Sequence, residues 1–383
     1  MTNQKILNDI RILDFTWVLA GPYATRLLAD FGAEVIKVQP LLSTETDDVF
    51  SEGYYNTWNR NKLGITLNLD MPEGIELAKK LIRKCDAVIE NFTPRVTANW
   101  GLDYGNLKKI KPDIIMVSLS LMGQTDPRKD YTGFGPTVHA FSGMTYLTSF
   151  PGQPPTGPGF SYADHISALY ASLGLLGALE HRRKTGEGQH VDISEVAAMK
   201  SLLGDAVGKT KPAGNHSKEA APHNIYPCKG KERWCAVAVF TEEEWDGLKH
   251  ALGNPDWAGD KRFTTLAGRM ENRDELDRRI TAWTKERAVE EVMTKLQENG
   301  VPAGMVQDAA DIAGDPQLRL QGFFIDRPDI GRMVDASPIK LSETPVEYSL
   351  PAPEPGRDNA YVYGKLLGLS KKEMATLKEK GVI

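Results

Sequence analysis

The chain has 383 residues, 41% of them apolar, and a formal net charge of -5. Its length exceeds one ordinary core, so two or more domains are expected, and the acidic balance argues against nucleic acid as the main partner while leaving room for a local basic site for a phosphorylated ligand. Cys85, Cys228 and Cys235 are scattered, without CxxC spacing or a histidine at ligand spacing, so neither a disulfide framework nor a zinc site is expected and a reducing cytoplasm fits. Met1 to Leu7 lacks the basic start and apolar core of a signal peptide, and the longest apolar run, Ile166 to Leu179, is broken by serine, tyrosine and glycine, so no membrane span is expected.

The first 120 or so residues alternate. IRILDFT (10–16) reads as a strand, AGPYATRLLADFG (20–32) as a helix, AEVIKV (33–38) and GITLNLD (64–70) as strands, and MPEGIELAKKLIRKC (71–85) as a helix. DAVIENF (86–92) and DIIMVSLSLMG (113–123) are further strands. Such alternation predicts an α/β fold with a parallel sheet flanked by helices, whose ligands lie beyond the carboxyl ends of the strands, here at Phe15–Thr16, Asp70–Met71 and Asn91–Phe92. After the first strand the chain runs DFTWVLAGPYA, not G-x-G-x-x-G, and no G-x-x-x-x-G-K-[ST] occurs, so dinucleotide and P-loop readings lose their best support. Gly21 and Pro22 read either as a plain helix entry or as a tight turn that lets a ligand approach the backbone.

GFSYADHISALYASLGLLGALEHRRKTGEGQHV (159–191) poses the sharpest question. Ile166, Leu169, Tyr170, Leu173 and Leu176 recur at helical spacing and predict a buried amphipathic helix ending near Lys184, Gly186 and Gly188. Asp164 stands at its start, where it is either an N-cap or a reagent, and local pattern leaves both open. Residues 208–224 are polar and rich in small residues, and read as a connector. Residues 225–240 read as a hairpin around Lys229 to Lys231, then comes a helix with Thr241 as cap and Glu244 in capping-box position, and one long helical run from Asn272 to Glu298. LPAPEPGR (350–357) is a proline-rich connector before a helical tail. The expected organisation is a Rossmann-like domain over 1–200 with a C-terminal return over 326–383, a linker at 201–224, and a smaller α+β domain over 225–325.

Taken in order, ILDFTWVLAGPYATRLLADFGAEVIKV, NRNKLGITLNLDMPEG, VIENFTP, SLSLMGQT, AFSG, ALEHRRKTGEGQHVDIS, AAPHNIYPCKG and NGVPAGMV resemble the family III coenzyme A transferases, the formyl-CoA transferase or CaiB/BaiF type, over nearly the whole chain. The resemblance implies that Asp164, at a fixed place ahead of the ALE and KTGxGQ signature, is a nucleophile. It would attack an acyl-CoA to form a mixed anhydride, then carry CoA as an aspartyl thioester to a carboxylic acid acceptor, with no metal or ATP. A carboxylate at a helix N-terminus is suited to this, because amides and dipole favour its ionised form. Position by position, the resemblance places coenzyme A against Val18, Leu19, Ala20 and Gly21, against Leu69, Asp70 and Met71, and against Asn91, Phe92, Thr93 and Arg95. Lys37, Arg60, Lys62 and Arg95 are candidates for its phosphates, each with an alternative as a solvated surface charge.

This sequence departs from the formyl-CoA enzymes at Leu19, where they have glutamine, at Asn99, where they have arginine, and in lacking their glycine-rich substrate loop in 208–224. Those departures point to a larger or less polar acid. Related α-methylacyl-CoA racemases use a histidine that falls at Phe134 here, with His139 and His165 nearby in sequence. A noncatalytic CoA-binding subunit of a heteromer is the other alternative. Members of the family form interlocked dimers, so a homodimer is expected, with a heteromer as the alternative.

Overall fold

The computed structural model describes residues 5–42, 49–125, 127–206, 208, 217–327 and 332–383. Of the connector expected over 201–224, residues 207 and 209–216 lie outside the described residues, as do 328–331 of the C-terminal segment. The chain divides into two units, one of Met1–Thr148, Pro155–Thr210 and Gly322–Ile383, the other of Ser149–Pro154 and Lys211–Gln321.

In the first unit the elements run β1 (Arg11–Asp14), α1 (Ala20–Asp30), β2 (Glu34–Gln39), α2 (Val49–Asn59), β3 (Leu63–Thr66), α3 (Pro72–Ile82), β4 (Ala87–Glu90), α4 (Pro94–Trp100), α5 (Tyr104–Ile110), β5 (Ile115–Ser120), α6 (Gly135–Ser142), α7 (Met144–Leu147), α8 (Tyr162–Thr185), β6 (His190–Ser194) and α9 (Glu195–Ser201). The strands form one parallel sheet in the order β3-β2-β1-β4-β5-β6, a Rossmann-like arrangement. Side chains alternate between its faces. Leu13, Ile36, Val88 and Met116 enter one core with Leu77 and Leu81 of α3, while their neighbours Ile12, Val35, Ile89 and Val117 enter another with Ala24 and Leu28 of α1. Every residue of β4 and β5 is buried, which is why these strands read as continuous apolar runs. The sheet order reverses between β1 and β4, so the crevice beyond their carboxyl ends is open to a ligand.

One expectation fails on α8. The large apolar residues Leu169, Tyr170, Leu173 and Leu176 are exposed, Leu173 by 66%, whereas Ala163, Ser167, Ala168, Ala171, Ser172, Leu175 and Ala178 are buried. Small residues bring α8 close to the sheet: Gly174 passes so near Val191 that a Cβ there would lie 2.7 Å from its Cγ1. Apolar periodicity marked the opposite face, because alanine and serine carry little weight in such a pattern although they suit close packing.

The second unit has an antiparallel sheet of β7 (His223–Pro227), β8 (Trp234–Ala238) and β9 (Ala303–Met305), packed with α10 (Glu242–Ala251), α12 (Arg273–Thr284) and α13 (Val289–Glu298), while α11 (Leu266–Glu271) sets Arg269 over the Trp245 ring. The Thr241–Glu244 capping box forms at α10. The run expected as one helix from Asn272 to Glu298 breaks between α12 and α13, where the Arg287 carbonyl accepts from the Lys229 amide and Ala288 is extended. No glycine or proline announces this break, since a contact distant in sequence makes it.

Helices α14 (Ala309–Gly314) and α15 (Pro316–Leu320) lead back to the first unit, where β10 (Phe324–Arg327) pairs with β11 (Arg332–Asp335) and α16 (Lys371–Glu379) closes the chain. Val362, Tyr363, Val382 and Ile383 complete the core beneath β1 to β5, and the Tyr363 hydroxyl donates to the Thr66 carbonyl at 2.7 Å. Among the described residues no helix is long and apolar enough to cross a membrane.

Candidate functional site

Two cavities lie along the carboxyl edge of the parallel sheet. The first is lined by the segments after β1, β2 and β3, including Thr16, Lys37, Pro40, Asn68, Leu69 and Asp70. The second, of about 390 Å³, gathers Val18, Asn91, Thr93, Arg95, Asp164 and Glu195. Trp17 and Phe92 line both. Of the residues placed against coenzyme A from sequence, Leu69 and Asp70 therefore border the first cavity, Val18, Asn91, Thr93 and Arg95 the second, and Phe92 both. Leu19 and Ala20 are buried and line neither, Met71 packs at the edge of the core beside α3, and Gly21 faces Thr16, where an added Cβ would lie 2.3 Å from the Thr16 Cβ. The close approach that Gly21 allows in this structure is thus to a neighbouring side chain.

The loop between β1 and α1 is held tightly. Asp14 accepts from the Thr16 amide at 2.8 Å and the Thr25 hydroxyl at 2.6 Å, and the Asn91 amide group both accepts from the Trp17 N–H and donates to the Trp17 carbonyl. Val18 sits between them with φ of 64°, a conformation unfavourable for a β-branched residue and sustained only where the surroundings over-determine it.

Three of the four candidate phosphate ligands, Lys37, Arg60 and Lys62, are buried, so none of the three is a solvated surface charge. The Lys62 ammonium is fully buried, 3.1 Å from Asp14 and donating also to Pro22 and Asn59, and Arg60 is buried against Asp30 at 2.7 Å. Neither is a surface charge nor free for a ligand. Lys37 is buried at the wall of the first cavity, its ammonium donating to the Thr16 carbonyl at 2.8 Å. Arg95 alone of the four is exposed, and among the described residues it has no ion-pair partner.

Asp164 is the third residue of α8, with Ser161 as the preceding N-cap residue, so the cap reading does not hold. The Ala163 amide is instead taken by His139 Nε2 at 3.2 Å, which commits that ring nitrogen as an acceptor. His165 is occupied through Nδ1 with the Ser161 carbonyl at 2.7 Å and stacks on Phe160. One oxygen of Asp164, Oδ2, is buried without a hydrogen-bond partner. Burial raises the Asp164 pKa, against the pull of its own amide and of His165. Gly135 at the start of α6 makes room for it, since a Cβ there would lie 2.8 Å from Oδ2. Phe134, the position of a racemase histidine, lines the same cavity.

Sequence reading missed Glu195, which follows β6 directly and lines the cavity with Asp164. Its position at the carboxyl end of a strand was the available signal. Burial, together with repulsion from Asp164, pushes its pKa up to about 8. A carboxyl raised in this way binds its proton more tightly folded than unfolded, so stability falls as pH rises from its ordinary value through about 8. Glu195→Gln, which keeps the neutral shape, should match the wild type near pH 5 and exceed it by on the order of 2–4 kcal/mol near pH 9. Urea denaturation at the two pH values measures this, and equal differences at both would refute it.

The chain matches the family model described as CoA-transferase family III over residues 7–359. It is 36% identical to succinyl-CoA--D-citramalate CoA-transferase of Chloroflexus aurantiacus, covering 98% of each chain. It is 33% identical to the alpha subunit of succinyl-CoA--L-malate CoA-transferase from the same organism, covering 99% of this chain and 93% of that one. A solved structure of a CaiB/BaiF family protein from Brucella suis superposes with a TM-score of 0.86 at 30% identity, covering 94% of this chain and 99% of the other. The chain belongs to CoA-transferase family III and is an enzyme of CoA transfer.

Proposed function

We propose that this enzyme moves CoA from an acyl-CoA donor to a carboxylic acid through covalent intermediates on Asp164. The Asp164 carboxylate attacks the thioester carbonyl and expels CoA, leaving an acyl-aspartyl anhydride. CoA then attacks the aspartyl carbonyl, which releases the donor acid and leaves an aspartyl-CoA thioester. An acceptor carboxylate reverses both steps. Thioester exchanges for thioester, so the sequence runs without external activation. The observation that carries this reading is the buried, unpartnered Oδ2 of Asp164 at a cavity adjoining a second one along the strand ends. CoA would lie with its nucleotide end by Lys37, Asn68 and Asp70 and its pantetheine passing Trp17, Asn91 and Phe92. Relatives named for succinyl-CoA with citramalate or malate support dicarboxylic acids as the substrate class, in line with the larger acid, and not the less polar one, that Leu19, Asn99 and the missing substrate loop suggested.

Mass spectrometry of the purified chain incubated with succinyl-CoA should find succinyl or CoA mass on Asp164, and label on another residue would reject the scheme. Turnover by this chain alone also separates a catalyst from a noncatalytic subunit. With His139 committed as an acceptor and Phe134 at the racemase position, no observation favours racemisation.

The assembly we infer is a dimer. The exposed stripe of Leu169, Tyr170, Leu173 and Leu176 on α8 is a surface that a second chain of the same kind would cover. If the two chains interlock, sedimentation at nanomolar concentration should still show a dimer. A folded, active monomer would remove the proposal.

A further inference from the structure

The transfer scheme balances with CoA as a thiolate throughout, but a free thiolate makes its first step steep. Alkyl thiolates are poor leaving groups beside carboxylates, and the CoA sulfur must leave as Asp164 is acylated and then attack from the same place. A group that gives it a proton and takes the proton back would serve both steps. No histidine is among the described residues lining the cavity: His139, His165 and His190 lie outside that lining, each with one ring nitrogen bonded, to the Ala163 amide, the Ser161 carbonyl and, at 2.9 Å, the Ser118 hydroxyl. Asp192 accepts the Gln124 amide at 3.0 Å, and the Arg95 guanidinium carries donors and no acceptor. Glu195 remains. It is buried, it lines the cavity with Asp164, and among the described residues no hydrogen bond or ion pair reaches its carboxyl group.

We propose that Glu195 is the acid and base for the CoA sulfur, protonating the thiolate that Asp164 displaces and recovering that proton when the thiol attacks the aspartyl anhydride. The proposal rests on the covalent scheme above. In the first half, the Asp164 carboxylate, acyl-CoA and protonated Glu195 become the acyl-aspartyl anhydride, CoA thiol and Glu195 carboxylate. In the second, that carboxylate removes the thiol proton as sulfur bonds to the aspartyl carbonyl, the anhydride bond breaks, and the donor acid leaves as its carboxylate. Charge and protons balance in each half.

The two carboxyl groups also time one another. With Asp164 ionised, its repulsion and the burial of Glu195 keep a proton on Glu195 up to about pH 8. Once Asp164 is acylated it carries no charge, the repulsion ends, and Glu195 becomes the stronger acid at the moment a proton is needed. The charged or titratable groups nearest α9 on the elements packed against it, and across the cavity, include Asp164, His165 and Tyr170 on α8, His139 on α6, His190 and Asp192 on β6, and Arg95 and Tyr131 on the cavity wall. Of these, the Asp164 charge is the one that acylation removes.

Glu195→Gln, Glu195→Asp and Asp164→Asn should be compared with the wild type, using succinyl-CoA, an acceptor acid and hydroxylamine as a trap. Glu195→Gln should lose turnover by about 100-fold while remaining folded, and should still yield the Asp164 hydroxamate at a reduced rate, whereas Glu195→Asp should recover part of the loss. In the wild type kcat/KM should decline above about pH 8 as Glu195 loses its proton, and Glu195→Gln should lack that alkaline limb. Turnover of Glu195→Gln within threefold of wild type, or a loss that leaves the alkaline limb in place, would overturn the role of Glu195. An active Asp164→Asn, or wild type that forms no hydroxamate, would overturn the covalent scheme itself.

Discussion

Asp164→Ala and Asp164→Asn should each lose turnover by at least about 1,000-fold, because neither side chain can form an anhydride. Stability should move the other way or hardly at all. Asp164 is not the cap of α8 and its Oδ2 has no partner to forfeit; alanine gives up only the contact with its own first-turn amide, which asparagine can keep. Asparagine also removes the charge that repels Glu195, which lowers the Glu195 pKa and relieves part of the strain between two buried carboxyl groups. Asp164→Asn should therefore melt at or above the wild-type temperature at neutral pH while being inactive. Hydroxamate at residue 164 should appear in the wild type with acyl-CoA and hydroxylamine, and in neither variant. Near wild-type turnover by the asparagine variant would end the nucleophile reading.

The largest effect on stability is expected at Lys62→Ala. Its ammonium and the Asp14 carboxylate are both fully buried at 3.1 Å, and removing one partner of such a pair strands the other, at about 3–5 kcal/mol. Burial by itself would raise the Asp14 pKa, but Lys62, Lys37 and the hydroxyls of Thr16 and Thr25 outweigh it and hold the pKa below its ordinary value. A depressed carboxyl adds stability above its unfolded pKa of about 3.9 and loses it as pH falls through the folded value. In Lys62→Ala the largest of those supports is gone, so the Asp14 pKa rises and its protonation gives relief. The penalty should be greatest near pH 7 and shrink below pH 4, as read by urea denaturation. A phosphate ligand would behave differently, weakening CoA binding with stability unchanged, and that result would return Lys62 to the ligand list.

The parallel sheet was legible because its evidence is local and repeated. Continuous apolar runs such as AVIE and IMVSLS can be buried on both faces only between helices, and the alternation with helices then fixes parallel strands. The cap at Thr241 was legible for the same reason, since its two partners stand three residues apart. Asp164 was conspicuous too, although periodicity could not tell cap from reagent and only the resemblance separated them.

What sequence could not decide depends on neighbours far along the chain. Whether Arg60 and Lys62 face water, phosphate or aspartates is set by Asp30, Asp335 and Asp14, and a cation has the same name in all three settings. The orientation of α8 turned on close packing through alanine and glycine, whose contribution is space and not hydrophobicity. Glu195 reads as an ordinary helix start until β6 places it beside Asp164, 31 positions earlier in the sequence, where two carboxyl groups in one low-dielectric cavity cannot both ionise readily. Composition and period thus determined the sheet and its helices. The charges that act, and those that only hold the fold, were decided by burial and distance, which exist only once the chain has folded.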